Sequence, residues 1–265
     1  MLDLKNVSKT FHLNTASENP ALKSIDLKVK QGDFITIVGS NGAGKSSLLN
    51  CIAGVYSLTR GKIILNGKVI SGLPEYKRAK FIGRVFQDPL LGTSPEMTIE
   101  ENLSLALIKN KTPTLARGLN KRNRNKMKSE LEKIGLGLEN RLEAKVKLLS
   151  GGQRQALTLL MATMVNPQLL LLDEHTAALD PATAIKIKEL TKQLIRKNEI
   201  TTLMVTHDMK DAINMGTRLI MMNEGRIILD IQGEEKQKLT VEKLLELFRK
   251  KHGTEYSNDR TLLTT

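Results

Sequence analysis

The pattern of apolar and polar positions along the chain predicts strands of two kinds. Residues 2–7 and 25–29 alternate between apolar and polar, which is typical of half-buried strands in an antiparallel sheet. Residues 34–38, 169–172 and 200–205 are largely apolar, as strands buried inside a parallel sheet are. We therefore expect an α/β fold in which an antiparallel sheet accompanies a buried parallel one.

Turn and cap signals place hairpins and helices between these strands. Asn66-Gly67 is a two-residue turn that predicts a hairpin over residues 61–70, and residues 223–225 are the turn of a last hairpin. Helices are expected at 48–53, after the capping box at 98–101, over 130–138, from 149 to about 165, over 182–197 and beyond Thr240.

One stretch between a predicted strand and a predicted helix matches the phosphate-binding pattern G-x-x-x-x-G-K-[ST]. It consists of Gly39, Ser40, Asn41, Gly42, Ala43, Gly44, Lys45, Ser46 and Ser47. Glycines allow the backbone to turn successive N–H groups inward, and the start of a helix adds partial positive charge. Lys45 would reach the β- and γ-phosphates of a nucleotide, and the Ser46 hydroxyl would ligate Mg²⁺. The sequence therefore predicts that the chain binds a nucleoside triphosphate.

Two carboxylates at the end of a predicted strand narrow the class of phosphate-loop protein. Asp173 can hold Mg²⁺ through its water shell, and Glu174 stands next to it. A carboxylate in that position can orient and deprotonate an attacking water, which a kinase would have to exclude. The pair therefore favours hydrolysis of the nucleotide over transfer of its phosphate.

A second glycine-rich segment opens another helix. It consists of Leu149, Ser150, Gly151, Gly152 and Gln153. Glycine N–H groups and a hydroxyl at a helix N-terminus again favour an anion. Because one nucleotide does not need two cradles from one chain, we expect a head-to-tail dimer. In that dimer each chain's second cradle covers the γ-phosphate bound to the other chain.

Two further residues are expected near the nucleotide because of the strands that they follow. His207 comes directly after the buried strand at 200–205, from which an imidazole could meet the γ-phosphate. Gln87 follows a short strand predicted over residues 82–86. From there it could contact Mg²⁺ and water and transmit their presence to the helical lobe that follows. A lone histidine is more often structural, but the surrounding motifs favour the functional interpretation of His207.

Composition limits where the chain can act. Its 265 residues carry a formal net charge of +13 with a pI near 9.7, which favours anionic partners such as nucleotide, nucleic acid or a membrane surface. Cys51 is the only cysteine, which suits a reducing compartment, and residues 1–5 do not resemble a signal peptide. No run approaches the roughly 18 apolar residues that span a bilayer, so we expect any membrane role to be peripheral, through other chains.

A basic run without an acidic residue extends over residues 109–128. Its charged members are Lys109, Lys111, Arg117, Lys121, Arg122, Arg124, Lys126 and Lys128. We interpret the run as a solvated face, with contact to lipid headgroups or to a partner's acidic surface as the alternative. Residues 252–265 are polar, and we expect them to be loosely held.

With these motifs in this order, the chain resembles an ATP-binding cassette protein, the nucleotide-binding subunit of an ABC transporter, over about residues 2–231. The resemblance implies a phosphate-loop NTPase with a RecA-like mixed-sheet core, an antiparallel β subdomain and an inserted α-helical lobe. The implied parts are residues 1–87 (β subdomain and phosphate-loop part of the core), 88–165 (helical lobe ending in the signature helix that begins at Ser150), 166–232 (rest of the core) and 233–265 (C-terminal helix and tail).

The same resemblance assigns roles to individual residues. It implies that Phe11 stacks on adenine, that Gln87 lies in the loop contacting the transmembrane coupling helix, and that Asp180 lies in the loop crossing the dimer interface. His207 becomes the switch histidine. The implied catalytic residues are Glu174, His207 and Gln87, and the implied Mg²⁺ ligands are Ser46, Gln87 and Asp173.

Residues 83–89 and 174–181 resemble a subgroup of bacterial importers served by lipoprotein-type binding proteins. In the second of these segments His175 and Ala177 stand where the family usually has proline and serine. The subgroup suggests small organic solutes as substrates, among them amino acids and especially aromatic ones. An exporter, a lipoprotein-releasing ATPase or a nucleic-acid-associated ATPase are the alternatives, although this chain carries neither a second cassette nor a long coiled-coil insertion.

The resemblance also implies partners and a location. ATP and Mg²⁺ are the expected cofactors. The expected partners are a second cassette, in a homodimer, two transmembrane permease subunits and, indirectly, an extracytoplasmic binding protein, with no nucleic acid. We expect the chain at the cytoplasmic face of the cell membrane.

Overall fold

The computed structural model describes residues 1–109 and 120–252, the last two by backbone alone. In chain order the strands are β1 (Leu2–Phe11), β2 (Asn19–Val29), β3 (Phe34–Val38), β4 (Arg60–Leu65), β5 (Lys68–Val69), β6 (Ile82–Val85), β7 (Leu169–Asp173), β8 (Thr201–Val205), β9 (Arg218–Asn223) and β10 (Arg226–Gln232). The α-helices are α1 (Lys45–Ala53), α2 (Glu75–Arg78), α3 (Ile99–Ile108), α4 (Lys121–Glu132), α5 (Gly151–Thr163), α6 (Pro181–Asn198), α7 (Met209–Met215), α8 (Gly233–Gln237) and α9 (Val241–His252).

The chain divides into two compact units. The first unit contains Met1–Ala79 together with the chain from Thr201 onward, and the second unit is Lys80–Ile200.

Two sheets form the framework of the first unit. In one, β1 pairs antiparallel with β2 and with β4, and β4 pairs with β5 around the Asn66-Gly67 turn. In the other, β3 lies between the parallel strands β8 and β9, and β10 returns antiparallel to β9. Both predicted hairpins and the antiparallel sheet are therefore confirmed.

The core of the first unit is apolar on both faces of its parallel strands. Every residue of β3 and β8 is buried, as their largely apolar sequences predict. Leu244 and Phe248 of α9 are buried in a cluster that includes Val38 and Met209. The apolar stripe of the C-terminal helix α9 therefore packs within its own unit. At the start of α9, the Thr240 hydroxyl accepts a hydrogen bond from the Lys243 N–H.

The second unit combines two parallel strands with a helical core. β6 pairs with β7 so that Val85 lies opposite Leu172. Helices α3, α4 and α5 share an apolar cluster whose members include Leu103, Met127 and Leu157. The predicted capping box is present at the start of α3, where the Thr98 side chain and Glu101 exchange hydrogen bonds.

The helix predicted over residues 130–138 is wrong in its bounds. The helix α4 begins at Lys121, after Asn120, whose side chain accepts a hydrogen bond from the Asn123 N–H at 2.9 Å. It ends at Glu132, ahead of Gly135 and Gly137, which adopt left-handed backbone conformations with φ of 70° and 72°. The sequence of α4 is so rich in lysine, arginine and asparagine that only Met127 and Leu131 mark its buried side.

The basic run is described only in part. Lys121, Arg122, Lys126 and Lys128 are exposed on α4, whereas Lys111 and Arg117 lie outside the described residues, as do residues 253–265. Within residues 1–109 and 120–252, no helix combines the length and the apolar character needed to cross a membrane.

Candidate nucleotide site

The phosphate loop follows β3 and can be made only with glycine at two of its positions. Gly39 has a φ of 152°, and a Cβ there would lie 2.1 Å from the Met222 carbonyl oxygen. Gly44 has a φ of 96°, and a Cβ there would lie 2.4 Å from the Ala21 carbonyl oxygen. The close approach of backbone to backbone therefore fixes the path of the loop, as an anion cradle requires.

Lys45 is the first residue of α1 and its side chain folds back over the loop. The residue is 6% exposed, and its Nζ donates hydrogen bonds to the carbonyl oxygens of Gly39 at 2.7 Å and Ser40 at 3.0 Å. The N-cap of α1 is Gly44, which has no side chain, and the first turn contains no acidic residue. The positive end of this helix is thus left for an external anion.

The other end of α1 is closed by a buried guanidinium. Arg78 is 2% exposed, and its NH1 donates to the carbonyl oxygens of Cys51 and Ile52 at 2.8 and 3.0 Å. Gly54 ends the helix in a left-handed conformation, and a Cβ there would lie 2.8 Å from Arg78 Nε. Sequence reasoning missed Arg78, because its partners are backbone oxygens that leave no pattern in the sequence.

Cys51 lies on the buried side of α1. Its side chain is 0% exposed, and burial raises the pKa of the thiol to about 11. The thiol therefore stays protonated at physiological pH.

His207 stands at the same edge of its sheet as the phosphate loop. The Thr206 N–H donates to the Ile37 carbonyl oxygen at 3.1 Å, and Ile37 pairs with Val205 in the parallel register of β3 and β8. Asp208 caps α7 by accepting a hydrogen bond from the Asp211 N–H at 3.1 Å. The exposed His207 is thus held between a strand end and a capped helix, within the unit that carries the loop.

Phe11 ends β1 beside a second aromatic ring that sequence reasoning missed. The rings of Phe11 and Tyr56 pack edge to face, with centroids 5.1 Å apart and an interplanar angle of 89°. Lys9 Nζ lies 4.9 Å from the centre of the Phe11 ring. In a chain with only 3% aromatic residues, a tyrosine shortly after the phosphate-loop helix was a signal that could have identified this pair.

In the second unit, the carboxylates and Gln87 lie at one edge of a strand pair. Asp173 ends β7, and the pairing of Val85 with Leu172 brings residues 86–87 and 173–174 to the same carboxyl-terminal edge. Gln155 of α5 donates from Nε2 to the Phe86 carbonyl oxygen at 3.3 Å and so supports the chain just before Gln87. Gln155 was also missed, because its burial and its hydrogen bond to a backbone oxygen leave no pattern in the sequence.

The second glycine-rich segment begins α5 as expected, with a capping box. Ser150 Oγ accepts a hydrogen bond from the Gln153 N–H at 3.3 Å, and Gln153 Oε1 accepts one from the Ser150 N–H at 3.2 Å. Gly152 has a second reason to be glycine, since a Cβ there would lie 2.1 Å from Thr183 Cγ2 of α6. Asp180 caps α6, and hydrogen bonds from the side chain and backbone of Thr183 lower the pKa of its carboxyl.

Glu174 and His175 lie directly after β7 in unlike surroundings. Glu174 adopts a left-handed backbone conformation with a φ of 43°. His175 is 3% exposed, and its Nε2 lies 3.0 Å from Thr191 Oγ1 of α6. Burial, aided by the charge of Lys188, lowers the pKa of His175 to about 4, so the ring is neutral at physiological pH.

Within residues 1–109 and 120–252, no three histidine, cysteine, aspartate or glutamate side chains cluster in a way that could hold a metal ion. The hydroxyl of Ser46, the amide oxygen of Gln87 and the carboxylate of Asp173 are hard oxygen donors of the kind that Mg²⁺ accepts.

A glycine-dependent phosphate loop after a buried strand, a strand ending in Asp173-Glu174 and a capped glycine-rich helix start define a P-loop ATPase of α/β fold. The model of the ABC transporter family matches residues 22–177, more than half of the chain, and the chain belongs to that family. It is an ATP-binding subunit of an ABC transporter and an ATP hydrolase, which confirms the expected fold and enzyme class.

Known relatives cover nearly the whole chain. It is 48% identical to a tyrosine transport ATP-binding protein of Clostridioides difficile, over 94% of this chain and 98% of the relative. It is 36% identical to the aliphatic sulfonates import ATP-binding protein SsuB of Albidiferax ferrireducens, over 86% and 73% of the two chains. The ATP-binding cassette MJ0796, solved as a dimer in a post-hydrolysis state with ADP and Pi, superimposes with a TM-score of 0.76 at 32% identity, covering 88% of this chain and 98% of that one.

Proposed function

We propose that two copies of this chain close head to tail around two ATP·Mg²⁺ and drive solute import through separate membrane permease subunits. The observation that carries the proposal is the presence of two glycine-rich helix starts on one polypeptide, at α1 and at α5. One ATP needs only one such cradle from each chain, so the second cradle serves the nucleotide of the other copy. The dimeric structure of the related cassette MJ0796 supports dimerisation.

In this proposal the hydrolytic step uses a carboxylate and an imidazole. Glu174 accepts a proton from the water that attacks the γ-phosphorus, while the bond from that phosphorus to the β,γ-bridging oxygen breaks. His207 donates a hydrogen bond to the γ-phosphate. Lys45 and the N–H groups of the phosphate loop stabilise the charge that develops on the phosphate oxygens.

The remaining residues bind and orient the nucleotide. Phe11 stacks on adenine, and Tyr56 packs against its ring. Ser46, Gln87 and Asp173 are the proposed ligands of Mg²⁺, which neutralises phosphate charge when bound. The segment Ser150–Gln153 and the loop at Asp180 belong to the face that each chain offers to the other.

The proposed dimer is held together by its ligand. Two shared ATP molecules connect the copies only while their γ-phosphates persist, so hydrolysis releases the interface. Closing and opening would then pull on the permease subunits through the segment after Gln87, with the chain bound peripherally at the cytoplasmic face of the membrane.

The solute that we propose is tyrosine or another aromatic amino acid, captured outside the cell by a binding protein. The support is the 48% identity to a tyrosine transport ATP-binding protein over almost the full length of both chains. The solute would be selected by the binding protein and the permease, so this chain would supply only the energy.

The test is the variant Glu174→Gln, which keeps the size of the side chain and removes the base. We expect it to bind ATP, to hydrolyse it at least about 100-fold more slowly, and to elute as a dimer in excess ATP·Mg²⁺. Glu189→Gln is the matched control, because Glu189 is an exposed carboxylate of α6 that pairs with Lys192, and it should hydrolyse ATP at the wild-type rate. A Glu174→Gln protein that stays monomeric with ATP bound would contradict the shared-nucleotide dimer.

A further inference from the structure

The residue directly after Glu174 is tied to the middle of a helix. His175 is buried, and its Nε2 lies 3.0 Å from the hydroxyl of Thr191, which is itself 0% exposed. Thr191 lies in α6, so the contact joins the first residues beyond β7 to a helix 16 positions further along the chain. Both residues belong to the second unit.

The direction of this hydrogen bond follows from the other partner of Thr191. The Thr191 hydroxyl donates its single proton to the Ile187 carbonyl oxygen at 2.7 Å. It can therefore only accept from His175, which assigns the ring proton to Nε2. The neutral ring therefore donates from Nε2, and its Nδ1 carries no proton.

Glu174 itself is held in a conformation that glutamate does not prefer. Its φ of 43° lies in the left-handed region, which is disfavoured for residues other than glycine. On one side the chain is fixed by the ladder between β6 and β7, and on the other side the next side chain is His175. The turn beyond is closed by a hydrogen bond from the Ala177 N–H to the Glu174 carbonyl oxygen at 3.0 Å.

We infer that His175 is a positioning residue for hydrolysis: its hydrogen bond to Thr191 holds the backbone of Glu174 in the left-handed conformation that presents this carboxylate to the attacking water. The inference rests on the proposed role of Glu174 as the base. A histidine that only filled the core would stabilise the unit without affecting the chemical step.

The bond can be broken from either end with little change in volume. Thr191→Val removes the acceptor and leaves the backbone hydrogen bonds of α6 in place, while Thr191→Ser retains it. His175→Leu removes the donor, and His175→Gln retains an N–H donor near the Nε2 position. Thr163→Val is the matched control, since Thr163 is a buried threonine of α5 whose hydroxyl bonds only backbone carbonyl oxygens, Leu159 at 2.9 Å and Leu160 at 3.2 Å.

The measurement is steady-state ATP hydrolysis, with kcat and KM separated, beside the thermal unfolding temperature of each variant. We expect Thr191→Val and His175→Leu each to lower kcat about five- to tenfold, the rate equivalent of one neutral hydrogen bond, with KM for ATP within about twofold of wild type. Thr191→Ser and His175→Gln should recover most of the rate. The double variant His175→Leu/Thr191→Val should be no slower than either single variant, because both remove the same bond.

Equal kcat in Thr191→Val and Thr163→Val would overturn the inference, as would losses in the double variant that multiply. A fall in kcat that merely followed the unfolding temperature across all variants would overturn it as well. If one of the two bond-breaking variants does not fold, the other carries the test. Glu174→Gln is measured beside them: its loss of activity with His175 variants at the wild-type rate removes only this inference, whereas an active Glu174→Gln removes the proposed base itself.

Discussion

Arg78 shows how a single side chain can stabilise the helix that follows the phosphate loop, α1, from its far end. Besides the two carbonyl oxygens of α1, it binds the Leu73 carbonyl oxygen through Nε at 2.8 Å and that of Ser71 through NH2 at 2.7 Å. Burial lowers its pKa, but the guanidinium remains charged. Among the described residues no carboxylate pairs with it, so its positive charge complements the negative end of α1 directly.

Replacing Arg78 by methionine should therefore destabilise the first unit rather than merely change its surface. We expect a loss of about 3 kcal/mol in the free energy of unfolding, because buried carbonyl oxygens lose their donors. Arg78→Lys should recover little, since one ammonium cannot reproduce the planar fork. Urea unfolding measures the effect, with the exposed Arg60 of β4, changed to methionine, as the control. An Arg78→Met protein as stable as the control would contradict this account.

At the scale of elements, α5 and α6 approach each other at Gly152. The contact with Thr183 is steric, because Gly152 does not need a left-handed φ, whereas Gly151 next to it has room: a Cβ there would meet only Leu179 at 3.6 Å. Of the two glycines in this motif, only Gly152 is therefore required by the packing of α5 against α6. Thr183 also donates the hydrogen bond that caps α6 at Asp180, so a displaced Thr183 would disturb the loop beyond Glu174.

Alanine substitutions at Gly151 and Gly152 should therefore differ in their effect on stability. Helix propensity alone would make either substitution stabilising by up to about 1 kcal/mol. We expect Gly151→Ala to be neutral or stabilising and Gly152→Ala to destabilise by about 2 kcal/mol through overpacking. Chemical denaturation of both variants, without nucleotide, is the measurement. Equal stability of the two would mean that α6 moves aside freely.

Elements with local signals were predictable from the sequence, and contacts between distant residues were not. The hairpin at Asn66-Gly67 and the cap at Thr98 follow from residues a few positions apart. The end of α4 was misplaced because two glycines with positive φ decide it, and α7 was missed because seven residues carry too little periodicity. The phosphate loop was visible as a motif. The hydrogen bond from His175 to Thr191, in contrast, depends on how α6 is rotated and placed relative to β7.

At the scale of the whole molecule, the net charge of +13 favours anionic partners, among them nucleotide, nucleic acid and a membrane surface. A membrane rich in anionic lipid would attract the exposed lysines and arginines of α4, and a transport complex would hold the chain there. Nucleic acid would be attracted by the same charge without specificity.

A role in transport and a role on nucleic acid predict opposite results when stimulation of ATP hydrolysis is measured. We expect ATP hydrolysis by the chain, assembled with its permease subunits in vesicles, to rise several-fold when tyrosine and its binding protein are supplied. RNA or DNA at about 150 mM salt should leave the rate unchanged, because non-specific phosphate contacts are screened. The same vesicles carrying Glu174→Gln are the control. Stimulation by nucleic acid and indifference to every solute would refute the transport assignment.

The buried thiol of Cys51 can report local opening of the structure around α1. It is the sole cysteine and lies against the inner side of the helix that receives phosphate, so a thiol reagent can reach it only when that helix separates from its sheet. The rate at which the reagent modifies Cys51 therefore reports how often α1 opens. Bound nucleotide should lower this rate.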